Sequence, residues 1–281
     1  MSEIKRPTMG NLFSGSGTWE LAAKMVGMDV LFEAEIEPFP VAVEAKRFPE
    51  ALQLGDVSKI NGADIPPVDV LTNSSPCQDL SVAGKRAGLD GERSGLFSEA
   101  IRITKEMREH DAVGRADEYI RPRFWGWENV PGAFSSNRGE DFRSVIEQVA
   151  RIIEPTAVIP LPEKGRWGYS GVVDGDGWQI AWRTMDAQFF GVPQRRRRVF
   201  LIADFAGHCA AEILFERESV SWNFAEIAET WKDTSRSLGD RISAAGRIVM
   251  GEVQRTEEGV GKRCVEDEPM ITKGNGNSER E

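Results

Sequence analysis

The chain has 281 residues, of which 40% are hydrophobic and 28% charged, and a formal net charge of −10. That length suits one large domain, or one with a small appendage; no apolar run nears the roughly 20 residues of a membrane span, and the amino terminus lacks a signal-peptide stretch, so a cytoplasmic protein is expected. Three widely spaced cysteines (Cys77, Cys209, Cys264) and two histidines suggest neither a disulfide framework nor a metal site, and the acidic total argues against a general nucleic-acid binder, although Lys85, Arg86, Arg93 and the run Arg195 to Arg198 leave room for a local basic groove.

In chain order, MGNLF predicts a strand ending at a Gly-rich turn, followed by a helix from about Trp19 to Val26. VLFEAEI predicts a second strand and PVAVEAKRF a second helix; VDVLTNS is a short apolar strand running into a turn. SGLFSEAIRITKEMREH has helical periodicity, RFWGWENV reads as a strand, and FRSVIEQVARIIE as an amphipathic helix. Pro160 to Gly177 reads as a long loop, WQIAWRTMDA and RRVFLIADF as two late strands, and the pattern weakens beyond about Phe205. Strand–helix alternation of this kind implies an α/β fold, with a mostly parallel sheet and helices on both faces. Ligands in such sheets gather at the carboxyl ends of the strands, which is where this sequence places its unusual residues.

Phe13-Ser14-Gly15-Ser16-Gly17 lies between a strand and a helix, where glycines let the backbone approach a ligand. Glu20 stands where a third glycine would complete a dinucleotide fingerprint, so a ligand without pyrophosphate, such as S-adenosylmethionine, fits better. Glu35, about 20 residues on, is placed to accept the ribose hydroxyls, with Glu37 its nearest rival. Asp56, in Gly55-Asp56-Val57, is placed to accept from an adenine amino group. Each carboxylate taken singly also reads as a solvated surface residue.

Ser75-Pro76-Cys77-Gln78 follows an apolar strand. A buried structural thiol is the common fate of a lone cysteine, but polar neighbours favour an exposed nucleophile, and a thiolate is soft enough to add to C6 of a pyrimidine. Glu128-Asn129-Val130 offers an acid that can stabilise a ring gaining electron density, or else a helix cap. In Gln194-Arg195-Arg196-Arg197-Arg198, strand alternation puts Arg196 and Arg198 on one face and Arg195 and Arg197 on the other, and one of the two pairs is able to hold a base oxygen, a phosphate or Glu128; a merely solvated basic run is the alternative.

These segments, FSGSG, Glu35, GDV, SPCQDLSVAGKRAGL, RSGLF, ENV and FGVPQRRRR, resemble in order the motifs of the DNA (cytosine-5) methyltransferase family, in its phage and prophage type. The resemblance implies a Rossmann-like class I S-adenosylmethionine-dependent methyltransferase fold in residues 1–205, followed by a reduced or truncated target-recognition region, 206–281, with a poorly ordered tail. It implies that Phe13 and Ile36 sandwich the adenine, that Gly15, Gly17, Val57, Pro76 and Leu96 line the cofactor site, and that Glu35 and Asp56 hold ribose and adenine. Cys77 is then the nucleophile, Glu128 engages N3, Arg198 holds the base O2 and Arg196 supports the site. Gln78, Ser81, Lys85, Arg93 and Gln194 would meet double-stranded DNA, and the base is expected to leave the duplex. Two departures stand out: Asn73-Ser74 replaces the usual small residues, and Gly276-Asn277-Ser278 matches the last motif only at the very end. A silent or split module needing a partner chain, and a cytosine-modifying enzyme acting on RNA or transferring another group, therefore stand beside the first reading.

Overall fold

A computed structural model describes residues 6–76, 95–162, 165–191 and 193–215. The elements run β1 (Thr8–Leu12), α1 (Thr18–Met25), β2 (Asp29–Ala34), α2 (Pro38–Arg47), β3 (Leu52–Gln53), β4 (Val70–Asn73), α3 (Leu96–Asp111), β5 (Phe124–Asn129), α4 (Glu140–Ala150), β6 (Ser170–Asp174), β7 (Gln179–Asp186), β8 (Arg197–Asp204) and α5 (Ala210–Leu214). The eight strands form one sheet in the order β3-β2-β1-β4-β5-β8-β7-β6. The first five pair in parallel. β8 joins β5 antiparallel, and β7 and β6 continue antiparallel to the edge. This is the Rossmann-like methyltransferase architecture expected from the sequence, and the order reverses between β1 and β4, leaving a crevice at their carboxyl ends.

Alternation along β8 shows how the two faces are covered. Val199, Leu201 and Ala203 enter the main core, whereas Phe200 and Ile202 pack on the other side with Ala210 and Leu214 of α5. α4 presents Phe142, Val145, Ile146 and Val149, all fully buried, at helical spacing to the main core. Burial of each such side chain is worth about 1.5–3 kcal/mol. α3 adds Phe97, Ile101, Ile103 and Met107 to the same side. α1 lies on the opposite face, its Trp19 ring 5.8 Å edge-on from Phe200.

The stretch 160–177, expected as a loop, contains β6. Its signal is weak because the strand is short and carries Gly171, where a Cβ would stand 1.9 Å from the Trp182 ring. Here the glycine admits an indole rather than marking a turn. Of the expected second unit, only residues 206–215 fall within the described residues, and α5 there packs on β7 and β8. Among the described residues no helix is long and apolar enough to cross a membrane.

Candidate active site

Four strand ends meet at the crevice. After β1 the backbone turns through left-handed conformations at Phe13 (φ 58°), Gly15 (59°) and Gly17 (79°). Phe13 is a bulky residue in a region that side chains avoid, a strain that surrounding structure must hold. Gly17 is irreplaceable twice over, because a Cβ there would also sit 2.4 Å from the Phe48 ring. At Gly15 a Cβ would meet nothing within 4 Å, so the turn faces open space.

The Glu35 carboxylate, just past β2, ties this turn to its neighbour. Oε2 accepts from Gly15 N–H at 2.9 Å, and Oε1 accepts from the amides of Ile36 and Glu37 at 2.8 and 2.9 Å. Ile36 is 65% exposed, an apolar side chain held at the rim. Asp56 caps the short 3-10 turn at 57–59: Oδ1 accepts from the Ser58 amide (3.0 Å) and hydroxyl (2.8 Å). Those bonds, with help from Lys59, hold the Asp56 carboxyl below its ordinary pKa. Val57 is buried, Leu96 opens α3 against the core, and Pro76 is exposed.

From β4 the chain passes through Ser74, Ser75 and Pro76 towards Cys77, and three side chains fix that passage. Trp19 Nε1 donates to Ser74 Oγ (3.2 Å), Trp127 Nε1 to Ser75 Oγ (3.3 Å), and Asn129 Nδ2 to the Ser75 carbonyl (3.0 Å). Asn73 Nδ2 reaches the Gly126 carbonyl at 3.1 Å. The sequence marks Asn73 only as a departure from the family pattern and Asn129 only as a neighbour of Glu128, and it gives no positioning role to either or to Trp19 and Trp127. Cys77, Gln78, Ser81, Lys85 and Arg93 lie outside the described residues.

β5 and β8 complete the site. Glu128, near the carboxyl end of β5, pairs with Arg198 at the start of β8, with Nε to Oε1 at 2.8 Å and both side chains under a quarter exposed. The antiparallel register explains the meeting, because Asn129 faces Val199 and Glu128 faces Phe200 across the ladder. Arg197 turns the other way, towards Asp186 (3.5 Å). Arg196 is exposed and is held through its backbone, its amide donating to Asp186 Oδ1 at 3.1 Å. Gln194 and Arg195 are exposed. The structure thus brings Phe13, Gly15, Gly17, Glu35 and Ile36 together around one turn, and Glu128 with Arg198 at another strand end. A carboxylate beside a guanidinium at a strand end, next to the segment leading to a thiol, can bind and polarise a planar base; a turn of open amides rimmed by an apolar side chain can hold a nucleoside.

The profile of the C-5 cytosine-specific DNA methylase family matches residues 8–152 and 172–273. The chain belongs to this family. Among its relatives is the DNA N-6-adenine-methyltransferase of Escherichia phage P1, 33% identical over an alignment of 271 residues that covers 89% of this chain and 35% of that protein. The type II methyltransferase M2.BsuMI of Bacillus subtilis is 32% identical over 193 residues, covering 69% of this chain and 41% of that one. The chain therefore spans roughly a third to two-fifths of the length of these relatives. In fold it is similar to the S. pombe Dnmt2 methyltransferase, with a TM-score of 0.50 at 18% identity, over 79% of this chain and 58% of that one.

Proposed function

We propose that this chain is a DNA (cytosine-5) methyltransferase that uses S-adenosylmethionine, with Cys77 as its nucleophile and residues 1–205 as its catalytic domain. The observation carrying the reading is the Glu128–Arg198 pair beside the anchored Ser74-Ser75-Pro76 segment. It brings two motifs 70 positions apart to the end of β5, the strand beside β4, from which the Cys77 segment departs.

The left-handed turn, the open space at Gly15 and the exposed Ile36 fit an adenosine-bearing ligand. Phe13 and Ile36 would hold the adenine, Glu35 the ribose and Asp56 the amino group, with Gly17, Val57, Pro76 and Leu96 shaping the pocket. S-adenosylmethionine, when bound, supplies an electrophilic methyl group. Cys77 adds as thiolate to C6 of the flipped cytosine, and the C5–C6 electron pair becomes available at C5. Glu128 hydrogen-bonds N3 and Arg198 the base O2, stabilising charge that moves into the ring. After methyl transfer the C5 proton departs, the Cys77–C6 bond breaks and the ring is restored. Gln78, Ser81, Lys85, Arg93 and Gln194 would contact the DNA, with Arg196 supporting the site. Target recognition is assigned to residues 206–281 or to a partner chain.

The test is incubation of the full chain with labelled S-adenosylmethionine and unmethylated duplex DNA, followed by nucleoside analysis. Label in 5-methylcytosine that vanishes in Cys77→Ala is the expected result. The phage P1 relative's name keeps adenine in view: label in N6-methyladenine that survives Cys77→Ala would replace this reading, because that transfer needs no thiol. Absence of label with DNA and with RNA, alongside intact cofactor binding, would leave a silent or split module.

A further inference from the structure

Behind the Gly-rich turn, sealed between the sheet and the first two helices, three carboxylates meet. Glu20 comes from α1, Glu33 from β2 and Glu44 from α2, and all three are fully buried. One oxygen from each lies within 4.8 Å of the others. Of their six oxygens only Glu20 Oε1 accepts a hydrogen bond of standard geometry, from Asn11 Nδ2 at 2.7 Å, while Glu33 and Glu44 stand close enough to each other to share a proton. Asn11 is itself oriented by Thr72 Oγ1, which donates to Asn11 Oδ1 at 2.9 Å. Burial raises the Glu20 pKa to about 7 and the Glu33 pKa to about 8, and raises that of Glu44, with repulsion among nearby carboxylates adding to each. Charged groups without partners are very costly in such surroundings.

A second observation points into the same space. Ser14, 7% exposed, has a hydroxyl with no hydrogen bond of standard geometry, yet it stands close enough to Glu44 to favour that carboxylate's charged form. A buried hydroxyl beside Glu44 adds one more oxygen at the edge of the three carboxylates.

We propose that Glu20, Glu33 and Glu44, with the Ser14 hydroxyl at their edge, bind one divalent cation of the oxygen-preferring class. The donor set is all oxygen, which favours Ca2+, Mn2+ or Mg2+ over thiolate- and imidazole-seeking metals. The separations suit it too, since oxygens on a shared ion at about 2.0–2.6 Å stand up to about 5 Å apart. Two positive charges offset most of the three negative ones, and the Asn11 amide faces the remainder. The ion would link α1, β2, α2 and Ser14, and Ser14 is the residue before the Gly15 amide that Glu35 holds. The site depends on the fold alone and not on the cytosine reading.

The test uses the full chain, stripped with chelator and titrated with Mn2+ alone, free Mn2+ being read by electron paramagnetic resonance without cofactor or DNA. One site per chain is expected, displaced by Ca2+ or Mg2+ and accompanied by a rise in Tm. Glu33→Gln and Glu44→Gln should abolish both effects, and Glu33→Asp should weaken binding by at least about tenfold, while exposed Glu50→Gln keeps it. The glutamine variants carry less buried charge and should fold; if one does not, Glu33→Asp decides alone. Absence of a stoichiometric site in the wild type, or equal uptake by Glu33→Asp and wild type, would overturn the proposal and mean that the carboxyls hold protons instead.

Discussion

Asn129→Ala separates positioning from chemistry. Asn129 is 5% exposed; it donates to the Ser75 carbonyl at 3.0 Å and accepts from the Val130 amide at 2.8 Å. Ser75 is buried, so its carbonyl loses its donor without water to replace it, at about 1–3 kcal/mol. Val130 is only half-buried, and water can take over much of the second bond. The loss is therefore about 2 kcal/mol, and at roughly 2–4 °C per kcal/mol for a domain of this size Tm should fall by about 4–8 °C. Well below that temperature the protein stays folded, but the segment entering Cys77 has lost an anchor. A misplacement near 1 Å costs roughly 100-fold, so methyl transfer to DNA should drop by about 10–100-fold. Cofactor affinity, read by calorimetry, should hold, because Gly15 and Glu35 are fixed by other strands. A rate that falls only in proportion to the unfolded fraction would refute the anchoring argument.

Glu128→Gln and Arg198→Met should each lower kcat/KM by about 100-fold, and the double variant by much less than the product, because either change alone strips the other of its partner; multiplicative losses would show that the two act separately. In Asp111 burial raises the carboxyl's pKa, but the Arg121 side-chain and backbone hydrogen bonds and the Arg115 charge outweigh it and leave the pKa below the ordinary 3.8. A depressed folded-state value stabilises above the unfolded pKa and is lost as pH falls through the folded one. Urea unfolding of Asp111→Asn should thus approach the wild type below about pH 4 and lie under it above; a constant gap across that range would exclude the linkage.

Much of the site was legible because glycines and strand ends leave local marks. The turn at 13–17 needs left-handed backbone, which Gly15 and Gly17 advertise, and the basic run abuts the apolar strand VFLIADF, which placed Arg198 at a strand start where Glu128 was one expected partner. What stayed hidden depends on neighbours distant in sequence. Asn129 and Ser75 are 54 positions apart, and nothing local shows that a side chain in ENV will hold a carbonyl of SSP. Glu33 and Glu44 carry no local mark in VLFEAEI and PVAVEAKRF, and Glu20 stands out only as the residue in place of a third glycine. Burial of all three follows only from α1 and α2 closing over β1 and β2. β6 was missed because Gly171, which reads as a breaker, is a recess for Trp182.

The antiparallel rung between β5 and β8 has a consequence for how such a protein can change. The spacing of Glu128 and Arg198 is set by one pair of neighbouring strands, and it does not depend on how much chain runs between them. Residues can enter or leave the connection from α4 to β6 without moving either side chain. The family profile skips 153–171, which is most of that connection and the first two residues of β6. Length variation is absorbed where it is geometrically silent, and the two ends of the motif stay in step like teeth on facing halves of a zip.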